Sequence, residues 1–265
     1  VTEQVDHAMN VYLDNAATTP MLPEVVEAML PYMRDHFGNP SSTHQFGRRT
    51  KTAIEQSRRQ IAGQLGVEPR TVCFTSGGTE SDNMALHASV DQLGCKRILT
   101  CATEHSAVLK TAEHLGKRDD VTCGLLQLDA AGKVDLHHLA ITLSDGIPTV
   151  VSVMHGNNEV GILQDIEAIG QCCWDHNALF HSDTVQTMGH YPMDLGNMPI
   201  DFAACSAHKL HGPKGAGFLY VKDGHRIGAH IMGGSQERAM RGGTENLIGI
   251  IGLAKAFELA MSNME

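Results

Sequence analysis

Short apolar runs alternate along this chain with longer segments of helical periodicity. Val11 to Leu13 is a three-residue strand candidate, closed by the polar turn Asp14 to Pro20. Residues 23–33 have helical spacing, with Val26, Met29, Leu30 and Met33 on one side. An irregular polar segment over 37–44 precedes a long amphipathic helix over 45–65, which turns Ile54, Ile61 and Leu65 inward and ends at Gly66. From there the pattern alternates: strand 71–75 and a helix to about 90, strand 97–102 and a helix to about 115, strand 121–128 and helix 135–143, strand 149–154 and helix 165–176. Strands follow at 179–182, 202–205 and 217–221, and a last helix over 245–261. This order predicts an α/β fold, a mostly parallel seven-stranded sheet flanked by helices on both faces. The last two strands are close enough in sequence to pair antiparallel through the intervening glycine-containing turn. Residues 1–10 are polar and expected to fray.

Composition narrows the function classes. A length of 265 residues, 42% hydrophobic and 19% charged, fits a globular protein with a full core. The net charge of -10, with no basic run against it, excludes a nucleic-acid surface. No stretch is long and apolar enough to span a membrane. The seven cysteines form no CxxC pair and several lie in strand-like runs, the pattern of free thiols in a reducing compartment; a cytoplasmic or organelle-matrix location is expected.

In parallel sheets ligands bind beyond the carboxyl ends of the strands. Candidate chemistry accordingly clusters just after strands. Ser76-Gly77-Gly78-Thr79 joins a strand to a helix, where glycines and the helix start turn N–H groups toward an anion. It serves equally as a plain strand-to-helix turn with Thr79 as the cap, and it is neither a Walker motif nor a three-glycine dinucleotide fingerprint. Asp183 ends a strand, where a carboxylate caps a turn, binds a metal, or pairs with a protonated ring nitrogen, and Gln186 follows within reach of the same ligand. His181 alternates with Asp183, but the remaining histidines lack metal-ligand spacing, so no metal site is expected. His105 stands out among sixteen histidines by its strand-end position, suited to stacking on a flat ring or moving protons. Lys209 lies among small residues after a strand; an amine held in a dry site loses its proton more easily and can form a Schiff base. Ser206 and His208 flank it and can hold a phosphate with Thr79. A glycine turn, an imidazole, a strand-end carboxylate and a lysine, in that order, meet the needs of pyridoxal 5'-phosphate.

At these residues the sequence resembles the cysteine desulfurases, the NifS/IscS-like group of fold-type-I pyridoxal phosphate enzymes in the class-V aminotransferase family. The matching segments are VYLDNAATT (11–19), FGNPSS (37–42), TSGGTESDN (75–83), TEH (103–105), NNEVG (157–161), SAHKLHGPKG (206–215), GGSQER (233–238) and RGGT (241–244), which together span nearly the whole chain. The resemblance implies the large domain of that fold. It implies that Lys209 carries the cofactor and moves protons at the substrate α-carbon, and that His105 stacks on the ring. It implies that Asp183 pairs with the ring nitrogen, Gln186 donates to the phenolic oxygen, and Gly78, Thr79, Ser206 and His208 cradle the phosphate. Asn158 is implied beside the substrate carboxylate. Thr244 is implied to reach the phosphate of a neighbouring subunit, hence a homodimer. The implied reaction converts L-cysteine to L-alanine and leaves the sulfur as a persulfide on an enzyme cysteine, for a sulfur-acceptor or iron–sulfur scaffold protein. A selenocysteine lyase, a kynureninase-like hydrolase or another lyase of this type, or a non-catalytic cofactor-binding fragment or subunit, shares most of these residues.

Two departures from the family stand out. Its chains continue past the equivalent of Glu265 into a small C-terminal domain that carries the nucleophilic cysteine and a carboxylate-binding arginine, and none of the seven cysteines here occupies that nucleophile position. The expected division is an arm over 1–20, a cofactor-binding large domain over 21–244, and a helix over 245–265 leading to the C-terminal domain. The second departure is Thr184, where relatives commonly have alanine; its hydroxyl requires a partner.

Overall fold

The computed structural model describes residues 11–264; the expected fraying of 1–10 lies outside them. Seven strands, β1 (Val72–Thr75), β2 (Arg97–Thr100), β3 (Thr122–Leu125), β4 (Thr149–Ser152), β5 (Leu179–Asp183), β6 (Phe202–Ser206) and β7 (Gly217–Val221), form one sheet. Their order is β1-β7-β6-β5-β4-β2-β3. The stretch from β3 to β6 is parallel, and β7 runs antiparallel to both β6 and β1. The sheet is α/β and mostly parallel, as the alternation predicts.

The helices are α1 (Pro23–Arg34), α2 (Gln45–Gln64), α3 (Gly78–Asp91), α4 (Ser106–Leu115), α5 (Leu136–Leu143), α6 (Ile166–Asp175) and α7 (Leu247–Ser262). Strand side chains alternate between two layers, as the period of two requires. Phe74, Leu99, Val151, Ala203 and Phe218 join the core under α1, α2, α5, α6 and α7. Cys73, Ile98, Val150, Phe202 and Leu219 pack against α3 and α4. Gly66, with φ of 68°, sits just past α2 where only glycine adopts that backbone without strain, and Ile54, Ile61 and Leu65 are buried as their spacing predicts.

Four expectations need correction. Val11 to Leu13 is exposed irregular chain rather than strand, because it pairs with none of the seven strands and its side chains are more than half exposed, so neither a ladder nor burial holds it extended. The strand predicted over 121–128 shortens to β3, an outer strand with a largely exposed surface, so burial fades at this edge. In α1 the inward residues are Val25 and Met29, while Val26 is 39% and Met33 58% exposed. That rotation is set by α7: a Cβ at Gly252 would come within 2.6 Å of Met29 Sδ, so helix contact rather than local periodicity chooses the face. Finally, the N-cap of α3 is Gly77, with no side-chain capping bond, and Thr79 lies inside the helix. The hydroxyl of Thr184 has its partner: Oγ1 donates to the carbonyl of Ala204 at 2.7 Å. Among the described residues, no helix is long and apolar enough to cross a membrane.

Candidate active site

A cavity of about 400 Å3 opens at the carboxyl ends of the parallel strands. It brings together Gly78, Thr79, His105, Asn158, Asp183, Gln186, Ser206, His208 and Lys209, residues spread over more than a hundred positions of chain. Thr244 is the exception: it is exposed and does not line this cavity.

One wall is the start of α3. Gly77 enters it with φ of 147°, and a Cβ on Gly78 would lie 2.6 Å from Cγ2 of Val185, so the chain passes close to the cavity only because both positions lack side chains. With no side chain at the cap, the first N–H groups and the positive end of the helix dipole face the cavity. Ser206, at the end of β6, and His208 stand across from this start in the same cavity lining.

The opposite wall is a short 3-10 helix, Ala207–Lys209, that directly continues β6. The segment 16–20 is strapped across it. Thr19 donates through both its backbone N–H and Oγ1 to the carbonyl of His208, at 3.0 and 2.9 Å, and accepts from the His211 N–H at 2.8 Å. Lys209 Nζ donates to the carbonyls of Ala16 and, at 3.0 Å, Ala17, and Gln186 Nε2 donates to Ala16 at 3.0 Å. Burial lowers the pKa of Lys209, against an opposing pull from Asp183 and Asp14. A lysine whose only hydrogen-bond partners are neutral carbonyls is easier to deprotonate than one in an ion pair. His208 is also lowered, by burial first and then by Lys209 and Lys214.

Asp183 forms the floor. It is 5% exposed and its Oδ1 accepts the N–H of Val185 at 2.9 Å. Burial, reinforced by neighbouring Asp82, pushes it up to about 7. His105 caps α4, its Nδ1 accepting the Ala107 N–H at 3.1 Å, which leaves Nε2 as the protonated nitrogen of the neutral ring. Polar atoms of Asp82, His105 and Asp183 lie within 4.8 Å of one another. Asn158, at the rim, donates to Glu159 at 2.8 Å.

Asp82, Ala16, Ala17, Met154, Glu159 and Val185 also line the cavity, without having been marked by any strand-end motif. The alanines carry no chemical signal; their role comes from the carbonyls they present. Asp82 did carry one, since it shares the helix face of Ala85, Leu86 and Ser89, all buried. An acid at a core position of an amphipathic helix is a site signal of its own.

None of the cysteines lines the cavity. Cys205 is buried within β6 and its thiol is pushed up, first by burial; Cys172 and Cys173 sit on α6, and Cys123 is the exposed one, on β3.

Over residues 11–265 the chain matches the family described as aminotransferase class-V. It is 46% identical over 259 residues to the cysteine desulfurase IscS of Dictyoglomus turgidum, a match covering 96% of this chain and 65% of the relative. It is 44% identical to a putative cysteine desulfurase IscS 1 of Bacillus subtilis, covering 94% of this chain and 66% of that one. Across these curated relatives the chain thus spans a little under two thirds of their length. Among solved structures, a NifS-like protein superposes with a TM-score of 0.91 at 40% identity, covering 96% of this chain and 70% of that one. A structure described as SspA in complex with cysteine superposes with a TM-score of 0.89 at 35% identity, covering 94% and 72%.

Proposed function

The chain belongs to the class-V aminotransferase family, and from that premise we propose that it carries the cofactor site of a pyridoxal phosphate-dependent cysteine desulfurase, which converts L-cysteine to L-alanine and passes the sulfur on as a persulfide. The observation that carries this reading is the convergence of a half-buried lysine, a buried carboxylate, an imidazole and an uncapped helix start on one cavity of about 400 Å3.

The donor set fits the cofactor group by group. The backbone at Gly78, made accessible by the missing Cβ, would hold the phosphate with Thr79, Ser206 and His208. His105 would stack on the ring and Gln186 would donate to its phenolic oxygen. Asp183, buried and short of charged partners, would hold the ring nitrogen. When bound, pyridoxal phosphate supplies the electron sink for the pair left at an amino acid's α-carbon. The protein's part is to place proton carriers and exclude water. Lys209 Nζ, with its pKa lowered by burial, is the group that takes and returns a proton at the α-carbon. Asn158 at the rim would meet the substrate carboxylate. Residues 21–244 would form the cofactor-binding unit in this reading, with 1–20 as an N-terminal arm and 245–265 as the segment leading to a C-terminal domain. Exposed Thr244 would serve the site of a second copy in a homodimer.

The cysteine relatives and the cysteine-bound neighbour support L-cysteine as substrate. One observation favours a narrower role: the cavity lining contains no thiol. In that case these residues bind cofactor and substrate but leave sulfur transfer to a cysteine outside the described lining, and the sulfur acceptor or iron–sulfur scaffold protein docks to the assembly that supplies it.

The test is reconstitution with pyridoxal phosphate, followed by visible absorption and borohydride trapping. The wild type is expected to develop a band that borohydride bleaches and fixes to Lys209, and Lys209→Ala to show neither. An equal band in the alanine variant overturns the assignment.

A further inference from the structure

At the cavity floor and beneath it lies a buried polar cluster that the proposed chemistry does not use. Asp82, on α3, is 1% exposed, and neither of its carboxylate oxygens has a hydrogen-bond partner among the described residues. Its Oδ1 lies 3.4 Å from Nε2 of His181, itself fully buried and also unpartnered at that nitrogen, a separation without hydrogen-bond alignment. The other ring nitrogen of His181 is engaged, with Nδ1 2.8 Å from Ser152 Oγ across the β4–β5 pair. Asp183 lies on the same face of β5 two residues on, close enough to Asp82 for their oxygens to fall within 4.8 Å.

We propose that Asp82 is a positioning residue that works as its neutral carboxylic acid, donating its O–H toward His181 and leaving Asp183 as the only charged carboxylate beneath the cofactor ring. The two acids differ in what surrounds them. Asp183 accepts a backbone N–H from Val185 and faces the cavity where the proposed ring nitrogen would sit; Asp82 has no donor among the described residues. Two buried carboxylates this close do not both ionise without cost, so a single charge settles on the better-solvated one. The titratable groups around the pair reinforce this. His181 is held neutral, pushed down to about 4 by burial, and so brings no positive charge to Asp82. Glu104 accepts the Met154 N–H with one oxygen while burial drives its pKa well up; Cys205 on β6 is a protonated thiol. His105 lies within 4.8 Å of both acids, whereas Lys209 stands at the cavity where the nearby charge acting on it is Asp183. Burial likewise raises the pKa of Asp82 far above its ordinary value. With its proton in place, Asp82 continues a line of donors, Asp82 O–H to His181 Nε2 and His181 Nδ1–H to Ser152, which fixes the strand that carries Asp183.

The role toward the ring rests on the proposed cofactor reading, whereas the proton itself is testable without cofactor. Wild type, Asp82→Asn and Asp82→Leu are compared first as apoproteins by chemical unfolding between pH 5 and 8. Asp82 is ionised in the unfolded chain and protonated in the folded one, so folding takes up a proton that the asparagine variant does not. The unfolding constant of the wild type is therefore expected to rise relative to Asp82→Asn by roughly tenfold per pH unit. A ratio that does not change with pH overturns the neutral-acid assignment. The proteins are then titrated with pyridoxal phosphate. Asp82→Asn, whose amide also donates, is expected to keep the wild-type affinity and the pH midpoint of the absorption band. Asp82→Leu is expected to bind roughly tenfold more weakly with a displaced midpoint; an unchanged affinity and midpoint in the leucine variant overturns the positioning role. If the wild type itself forms no band, the cofactor reading fails and with it the positioning role, while the apoprotein ratio still decides where the proton sits.

Discussion

Two buried clusters of charged groups in this molecule are built on opposite lines. On α2, Arg58 is 2% exposed and fully engaged: Nη1 and Nη2 reach both oxygens of Glu237 at 2.7 and 2.8 Å, Nη1 also donates to the Val72 carbonyl at 2.7 Å, and the guanidinium lies 4.5 Å from the centre of the Phe74 ring. Glu237, in turn, accepts the Phe74 N–H at 2.8 Å. Each guanidinium nitrogen donates, Nε to Glu55, and both oxygens of Glu237 accept, so the pair locks the loop at 236–239 onto the edge strand β1. At the cavity floor, among the described residues, Asp82 has no hydrogen-bond partner and Asp183 one donor. A satisfied buried ion pair holds elements together. An unsatisfied carboxylate at a cavity is kept in reserve for something that arrives later.

Breaking the first cluster has the larger effect on folding. Arg58→Met leaves Glu237 buried without its cation, at a cost of about 3–5 kcal/mol, and is expected to lower Tm by roughly 10 °C. Arg58→Met with Glu237→Gln removes both charges while keeping an acceptor for Phe74, and is expected to recover much of the loss. Thermal unfolding checks both; a double variant no better than the single one would show that the charge was not the cost.

The second cluster responds to pH instead. Asp183 ionises at about 7 in the folded protein but near ~4 when unfolded. A carboxyl raised by folding is charged in the unfolded chain first, so its contribution weakens the apoprotein as pH climbs from about 4 and levels off above about 7. Asp183→Asn is expected to remove that levelling component, making the apoprotein more stable at pH 8 while weakening pyridoxal phosphate binding at least tenfold. Unfolding curves across pH, paired with a binding titration, check the two halves; a variant that gained stability yet bound the cofactor as the wild type does would place the ring nitrogen elsewhere.

The smallest effect belongs to an exposed pair of similar geometry. Arg70 and Asp223 meet at 2.6 Å with both side chains more than half exposed. Water already solvates these charges, so Arg70→Ala is expected to leave Tm unchanged within error. Together Arg58→Met and Arg70→Ala separate burial from geometry, since the distances at Arg58 and Arg70 are nearly equal and only the surroundings differ.

Most of the scaffold was legible in the residues themselves. Helices α2, α4 and α7 fall within two residues of their predicted limits, because local periodicity and end signals such as Gly66 are properties of neighbouring residues. The positions of His105, Asp183 and Lys209 after strands followed from the same reading, since a parallel sheet places its strand ends on one side. What was not legible depends on partners distant in sequence. Met29 rather than Val26 turns inward because Gly252 faces it. Ala16 and Ala17 join the site because Thr19 is tied to His208, 189 positions away. Arg58 reads as one more charge on an amphipathic helix until Glu237 is brought to it.

The sequence by itself therefore determined the seven sheet strands and seven α-helices of the described residues, their order along the chain, and which side chains stand at strand ends. The tertiary structure alone decided how the strands other than the β6–β7 pair are placed in the order β1-β7-β6-β5-β4-β2-β3, the exposure of β3 and the approach of Asp82 to Asp183. The physical reason is range. Hydrogen-bonded local geometry and side-chain period are set within a few residues, whereas desolvation, and with it the charge state of a carboxyl, depends on everything that packs around it.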